Sequence, residues 1–149
     1  MDAKIKAVIA ALSGQEKAFN ALYRNISSCF GLSECAMWVI YYLIVEENAL
    51  TQQDLIRLMM FPKQTINSAV TGLAKKGYLA RTRMIGTRNR KQLTLTKAGR
   101  QFADRTIARL IRAESATIRK MTFAKMDAWV SLHNEYLEAL WESFEAKGC

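Results

Sequence analysis

The chain has 149 residues, half of them hydrophobic, and a formal net charge of +9. That length holds one domain, or one domain with helical extensions, and no charge-free apolar run is long enough for a membrane span. Three cysteines without a CxxC pair, a single histidine, no Gly-rich phosphate loop and no GxSxG argue against a disulfide framework, a metal centre and the commoner catalytic machineries, so no cofactor and no enzymatic activity are expected.

The N-terminal MDAKIKAVIA carries an acid at position 2 and no signal-peptide cleavage pattern, which makes a cytoplasmic location the expectation. From Ile5, the apolar residues Val8, Ile9, Leu12, Phe19, Leu22, Tyr23 and Ile26 recur at helical spacing. They predict one long helix or two consecutive ones, with Ser13-Gly14 as the place for a break. Ser33 can cap a second helix over ECAMWVIYYLIVEE, which is apolar almost all round and needs burial on several sides. Thr51, with Asp54 three residues on, is a short-armed capping box that opens a third helix at about 52–58.

Pro62 suits the first position of a fourth helix, because its φ is already helical and its missing N–H would have no partner there; Phe61 is then the cap. In this helix Ile66, Ala69, Val70 and Leu73 form the buried stripe, while Lys63, Gln64, Thr65, Asn67, Ser68 and Thr71 lie largely off it. Lys75 and Lys76 complement the C-terminal dipole, and Gly77 can take the left-handed position beyond them. Residues 78–83 and 92–96 alternate as paired strands joined by a basic loop at 85–90. Thr96 can cap a fifth helix carrying Phe102, Ile107, Leu110, Ile111 and Ile118. Thr122 can cap a sixth, whose broad stripe (Met126, Trp129, Val130, His133, Leu137, Leu140, Trp141, Phe144) faces away from acidic outer positions.

Charge is segregated along this order. Between Leu55 and Ala103 there are eleven Lys or Arg and no acid, so this window supplies +11 and the rest of the chain −2. Such a window is the electrostatic footprint of a polyanion-binding surface. Its third and fourth helices and hairpin form a helix-turn-helix with a wing. A helix fits the DNA major groove, where Lys donates to guanine and Gln or Asn pairs with adenine; a basic loop reaches phosphates or the minor groove. The base-reading candidates are Lys63, Gln64, Thr65, Asn67, Ser68 and Thr71, and the wing and backbone candidates are Arg81, Arg83, Arg88, Asn89, Arg90 and Lys91.

These residues resemble the MarR-type winged-helix transcriptional regulators, through LTQQDLIRLM (50–59), FPKQTINSAVTGLAKKGYLART (61–82) and RNRKQLTLTKAG (88–99). The resemblance implies a mainly α fold: a winged helix-turn-helix with a small β-hairpin wing over 33–96, flanked by dimerisation helices over 1–32 and 97–149. It further implies a homodimer on a pseudo-palindromic operator of double-stranded DNA, acting as a repressor that a small aromatic ligand or another signal releases. Two positions depart from the family pattern: Thr87 stands where wings commonly carry an acid, and Pro62 alters the start of the fourth helix.

The resemblance also suggests a ligand pocket, for which Tyr23, Trp38, Tyr41 and Tyr42 are the aromatic candidates; at helical spacing the same residues equally make core. Cys29 and Cys35 flank the junction of the first two helices and read as small hydrophobes unless an accessible, low-pKa thiol is present. The alternative from another class is a winged-helix adaptor whose basic surface binds an acidic protein or RNA.

Overall fold

A computed structural model describes residues 1–46, 50–83 and 91–146. Within them the order is α1 (Ala3–Cys29), α2 (Glu34–Val45), α3 (Gln52–Met59), α4 (Lys63–Lys75), β1 (Leu79–Arg83), β2 (Lys91–Leu95), α5 (Lys97–Arg105), α6 (Ile107–Met121) and α7 (Phe123–Glu145). The fold is mainly helical with one antiparallel hairpin, the winged-helix architecture expected. The chain divides into two compact units, Met1–Ile107 and Ala108–Cys149.

In the first unit α2 is the central helix. Met37, Val39 and Ile40 are wholly buried, and the helix packs on α1, α3, α4 and β2. Ser33 caps it as expected, accepting the Ala36 N–H at 3.2 Å. Leu55 of α3, Ile66, Val70 and Leu73 of α4, and Leu79 and Leu93 of the hairpin complete the core. Each such aliphatic side chain contributes roughly 1.5–3 kcal/mol on burial, so α4 is held by its stripe rather than by its modest helix propensity. The helix ends as its sequence predicts. Gly77 takes φ +74°, the Tyr78 N–H reaches the Leu73 carbonyl at 3.0 Å and the Gly77 N–H reaches that of Ala74 at 2.9 Å.

Of the two readings left open for the first helix, the single long one holds: it is unbroken across Ser13-Gly14, since one exposed helical glycine costs only about 1 kcal/mol. Other boundaries differ from expectation. Pro62 is the N-cap of α4 rather than its first residue: its φ of −54° is helical but its ψ of 136° is extended, so Lys63 leads the helix and Phe61 caps nothing. The predicted fifth helix is two helices, α5 and α6. At Thr106 the backbone leaves the helical region (φ −121°, ψ −80°), and its hydroxyl donates to the Phe102 carbonyl at 2.7 Å, a back-bond that bends helices.

In the second unit Thr122 precedes α7 but does not cap it through its side chain. Its backbone sits at φ 72°, and only its carbonyl serves the helix, accepting from the Met126 N–H at 3.2 Å. No residue of α7 is buried: Trp129, Val130, Leu137, Leu140, Trp141 and Phe144 are all exposed. Among the described residues no single helix is long and apolar enough to cross a membrane.

Candidate nucleic-acid interface

The site begins at the start of α3. Thr51 and Asp54 close the capping box: the Asp54 N–H donates to Thr51 Oγ1 at 3.3 Å, and the Thr51 N–H donates to Asp54 Oδ2 at 2.9 Å. The Thr51 hydroxyl also donates to Asp54 Oδ2 at 2.6 Å, and Arg57 pairs with Oδ1 at 2.6 Å. The Thr51 hydroxyl and N–H hold the Asp54 carboxyl below its ordinary value against the opposing effect of burial, and Arg57 adds to the lowering. The same segment is tied to the wing, because the Leu93 N–H donates to the Leu50 carbonyl at 2.8 Å and Thr51 bridges to Gln92. The helix-turn-helix and the hairpin therefore share one anchor.

Helix α4 presents Lys63, Gln64, Thr65, Ser68 and Thr71 to solvent, as expected from their place off the apolar stripe. Asn67 differs. It is half-buried, and its Oδ1 accepts a hydrogen bond from Gln52 Nε2 at the start of α3. Two grooves lie on either side of it. One, of about 560 Å³, runs between α3, α4 and the hairpin and is lined by Thr51, Gln52, Gln53, Asn67, Thr71, Arg81, Lys91 and Leu93. The other, of about 330 Å³, is lined by Gln64, Asn67, Ser68, Thr71, Gly72 and Lys75. Asn67 and Thr71 line both.

The hairpin turns from apolar to basic along one face. Its register sets Leu79 opposite Leu95, Arg81 opposite Leu93, and Arg83 opposite Lys91. Alternation puts these six on the same side, so the face leaves the core as leucine and ends as three cations. Arg81 Nη2 reaches Thr71 Oγ1 at 3.5 Å, which links wing and α4. Arg83 and Lys91 are exposed like charges directly opposite each other, an arrangement that is unfavourable alone and relieved by a polyanion. Arg88, Asn89 and Arg90, the expected tip of the wing, lie outside the described residues.

The aromatic candidates do come together. Tyr23 and Trp38 have ring centroids 4.9 Å apart, Trp38 and Tyr41 5.1 Å, and Tyr41 and Tyr42 5.9 Å, and all four are half-buried. Phe19 extends the chain of rings at 4.9 Å from Tyr23. Neither groove described above is lined by them. Cys35 is buried, and burial, with a smaller contribution from Glu34, pushes its thiol up to about 11, whereas Cys29 is exposed. Cys35 is therefore a protonated core thiol at neutral pH.

Sequence reasoning passed over Gln52, Gln53 and Lys75. The first two lie inside the capping box, between Thr51 and Asp54, and read as helix-start residues. Only the crossing of α3 on α4 brings Gln52 to a residue fifteen positions away. The available signal was polarity: Gln52 and Gln53 have no part in an apolar stripe.

Residues 30–87 match the sequence model of the MarR family. No curated protein gives a significant sequence match. Among solved structures, the chain is similar to a MarR family regulator from Neisseria meningitidis, with 17% identity and a TM-score of 0.70 over 92% of this chain and 98% of that one. It is also similar to BpsR of Bordetella bronchiseptica, whose DNA binding is regulated by 6-hydroxynicotinic acid (17% identity, TM-score 0.64, 87% and 91% covered). A third is MarR of Staphylococcus aureus, solved with salicylate and kanamycin (15% identity, TM-score 0.63, 92% of each chain). At these identities the likeness establishes the fold.

Proposed function

From a winged helix that matches the MarR family over residues 30–87 and a fold shared with MarR regulators along most of the chain, we propose that this protein is a sequence-specific, DNA-binding transcriptional regulator. The observation that carries the reading is the coincidence of an exposed hydrogen-bonding face on α4 with an acid-free cationic window. Lys63, Gln64, Thr65, Asn67, Ser68 and Thr71 read bases in the major groove; Arg81, Arg83, Arg88, Asn89, Arg90 and Lys91 hold the phosphate backbone.

The regulator works as a homodimer. A single winged helix reads one half-site, and the apolar side chains that α1 and α7 leave exposed, among them Phe19, Leu22, Trp129, Leu137, Leu140 and Trp141, are the material for an interface between copies. On this assignment residues 33–96 bind DNA and residues 1–32 and 97–149 dimerise. Two copies of α4 then sit about 34 Å apart on an inverted repeat. The protein acts as a repressor that a small aromatic ligand releases, with Tyr23, Trp38, Tyr41 and Tyr42 as the contact surface. Support for the ligand class comes from the salicylate-bound and hydroxynicotinate-regulated neighbours.

Footprinting on the DNA flanking its own gene tests the proposal. A protected inverted repeat, lost on adding an aromatic acid, supports it. Binding without a protected sequence supports an adaptor for RNA or an acidic protein instead.

A further inference from the structure

We infer that Gln52, which lies on α3 and outside the face of α4 assigned to base contact, sets the base preference of Asn67. The inference rests on the reading of α4 as a base-reading helix.

An asparagine carboxamide has two ends of nearly equal shape and opposite hydrogen-bonding sense, and its terminal torsion is broad and roughly two-fold. Unrestrained, it turns either end toward a base, and the free energy of pairing is spread over both orientations. Here Gln52 Nε2 donates to Asn67 Oδ1, which pins the oxygen on the α3 side. Both Nδ2 hydrogens and one oxygen lone pair remain open to the two grooves that Asn67 lines. The carboxamide edge thus has one fixed polarity. It meets adenine in a single register, Nδ2 donating to N7 and Oδ1 accepting from the N6 amino group, and loses the reversed alternative.

The Gln52 amide stands in the structure with Nε2 toward Asn67, on a backbone that is itself held. It directly follows Thr51, whose capping box with Asp54 and bridge to Gln92 fix the start of α3 against the hairpin. Gln52 is a positioning residue that acts through Asn67.

The test is selection of bound duplexes from random DNA by the full chain, unaltered and as Gln52→Met, Gln52→Glu, Asn67→Ala and the Gln52→Met/Asn67→Ala double variant. Methionine keeps length without a donor. Glutamate keeps shape but, ionised, only accepts, so it pairs with Asn67 Nδ2 and reverses the carboxamide. Asn67→Ala is expected to remove discrimination at one base position of each half-site. Gln52→Met lowers discrimination at that same position by roughly 2- to 10-fold, the equivalent of one neutral hydrogen bond, and adds nothing in the Asn67→Ala background. Gln52→Glu changes the base preferred there and leaves the other positions as they were.

A Gln52→Met profile identical to the parent, an even loss over all positions, or an undiminished effect in the Asn67→Ala background would reduce Gln52 to a packing residue. If Gln52→Met melts early by circular dichroism, the base preferred by Gln52→Glu decides. Should the unaltered chain enrich no sequence at all, the regulator reading fails and takes this role with it; enrichment by the parent with no Gln52 effect sinks the Gln52 role alone.

Discussion

The carbonyl oxygen of Tyr78 occupies the space beside Gly99 so closely that a β-carbon on Gly99 would stand 2.0 Å from it. The same carbonyl accepts the Thr96 N–H at 3.0 Å, and the Thr96 hydroxyl accepts the Gly99 N–H at 3.0 Å while donating to the Gly77 carbonyl at 2.6 Å. Tyr78 stacks on Phe102 with centroids 4.6 Å apart. The base of the wing and the first turn of α5 are therefore one backbone-to-backbone joint, and Gly99 is the residue that lets it close.

Gly99→Ala should accordingly destabilise the protein. Helix propensity favours alanine by about 1 kcal/mol, but displacing a backbone carbonyl costs more, so a net loss of about 1–3 kcal/mol is expected. Urea unfolding should show a lower midpoint at unchanged slope. A midpoint at or above that of the parent would mean that α5 slides away without cost.

Asp54 carries an acid-dependent share of stability. Its carboxyl is held below the ordinary value of 3.8, so its stabilising effect is complete above that value and is lost as pH falls through the lower folded-state value. Asp54→Asn keeps an acceptor for the cap but loses the charge; about 0.5–2 kcal/mol should be lost at neutral pH, the range for a helix cap. The gap between parent and variant should close as the pH is taken below the carboxylate range. A gap that stays constant down to acid would assign the effect to shape rather than charge.

Base and phosphate contacts separate by what each variant does to specificity and to salt dependence. Gln64→Ala should cost about 1–3 kcal/mol on the selected operator and relax one position. An equal loss on random DNA would remove Gln64 from the readers. Arg81→Ala should weaken binding to every sequence and flatten the log–log salt slope by about 0.9 for one lost phosphate contact. Titrations from low to physiological salt measure this, and an unchanged slope would show that Arg81 serves only its bond to Thr71.

The two described cysteines should differ in reactivity. With its thiol pushed up to about 11 by burial, Cys35 should resist iodoacetamide in the folded protein at neutral pH, while exposed Cys29 is alkylated. Peptide mapping before and after denaturation reads both. Alkylation of Cys35 at the rate of Cys29 would mean that the core around α2 opens in the native state.

What was legible in the sequence was local. As caps, Ser33, Thr51 and Thr96 each bond a backbone N–H three residues on, and Gly77 closes its turn on Ala74, so the order of helices and the hairpin could be read without knowing what packs on what. The apolar stripe of α4 likewise separated its buried side from its polar one, because the helical period alone decides which residues share a face. The break at Thr106 and the late start of α4 after Pro62 were not legible, since backbone torsions of single residues choose between neighbouring solutions of similar energy.

Tertiary structure decided the relationships between distant positions. The sequence marked Asn67 as a polar residue on a helix; the approach of α3 decided that its oxygen is already engaged by Gln52. It marked Arg81, Arg83 and Lys91 as basic, while strand register decided that Arg83 and Lys91 stand opposed and that all three continue the leucine face of the hairpin. Residue type dictates which hydrogen bonds and charges a side chain can offer. Which of them remain unspent depends on neighbours far along the chain, and those are assembled only when the hydrophobic core closes.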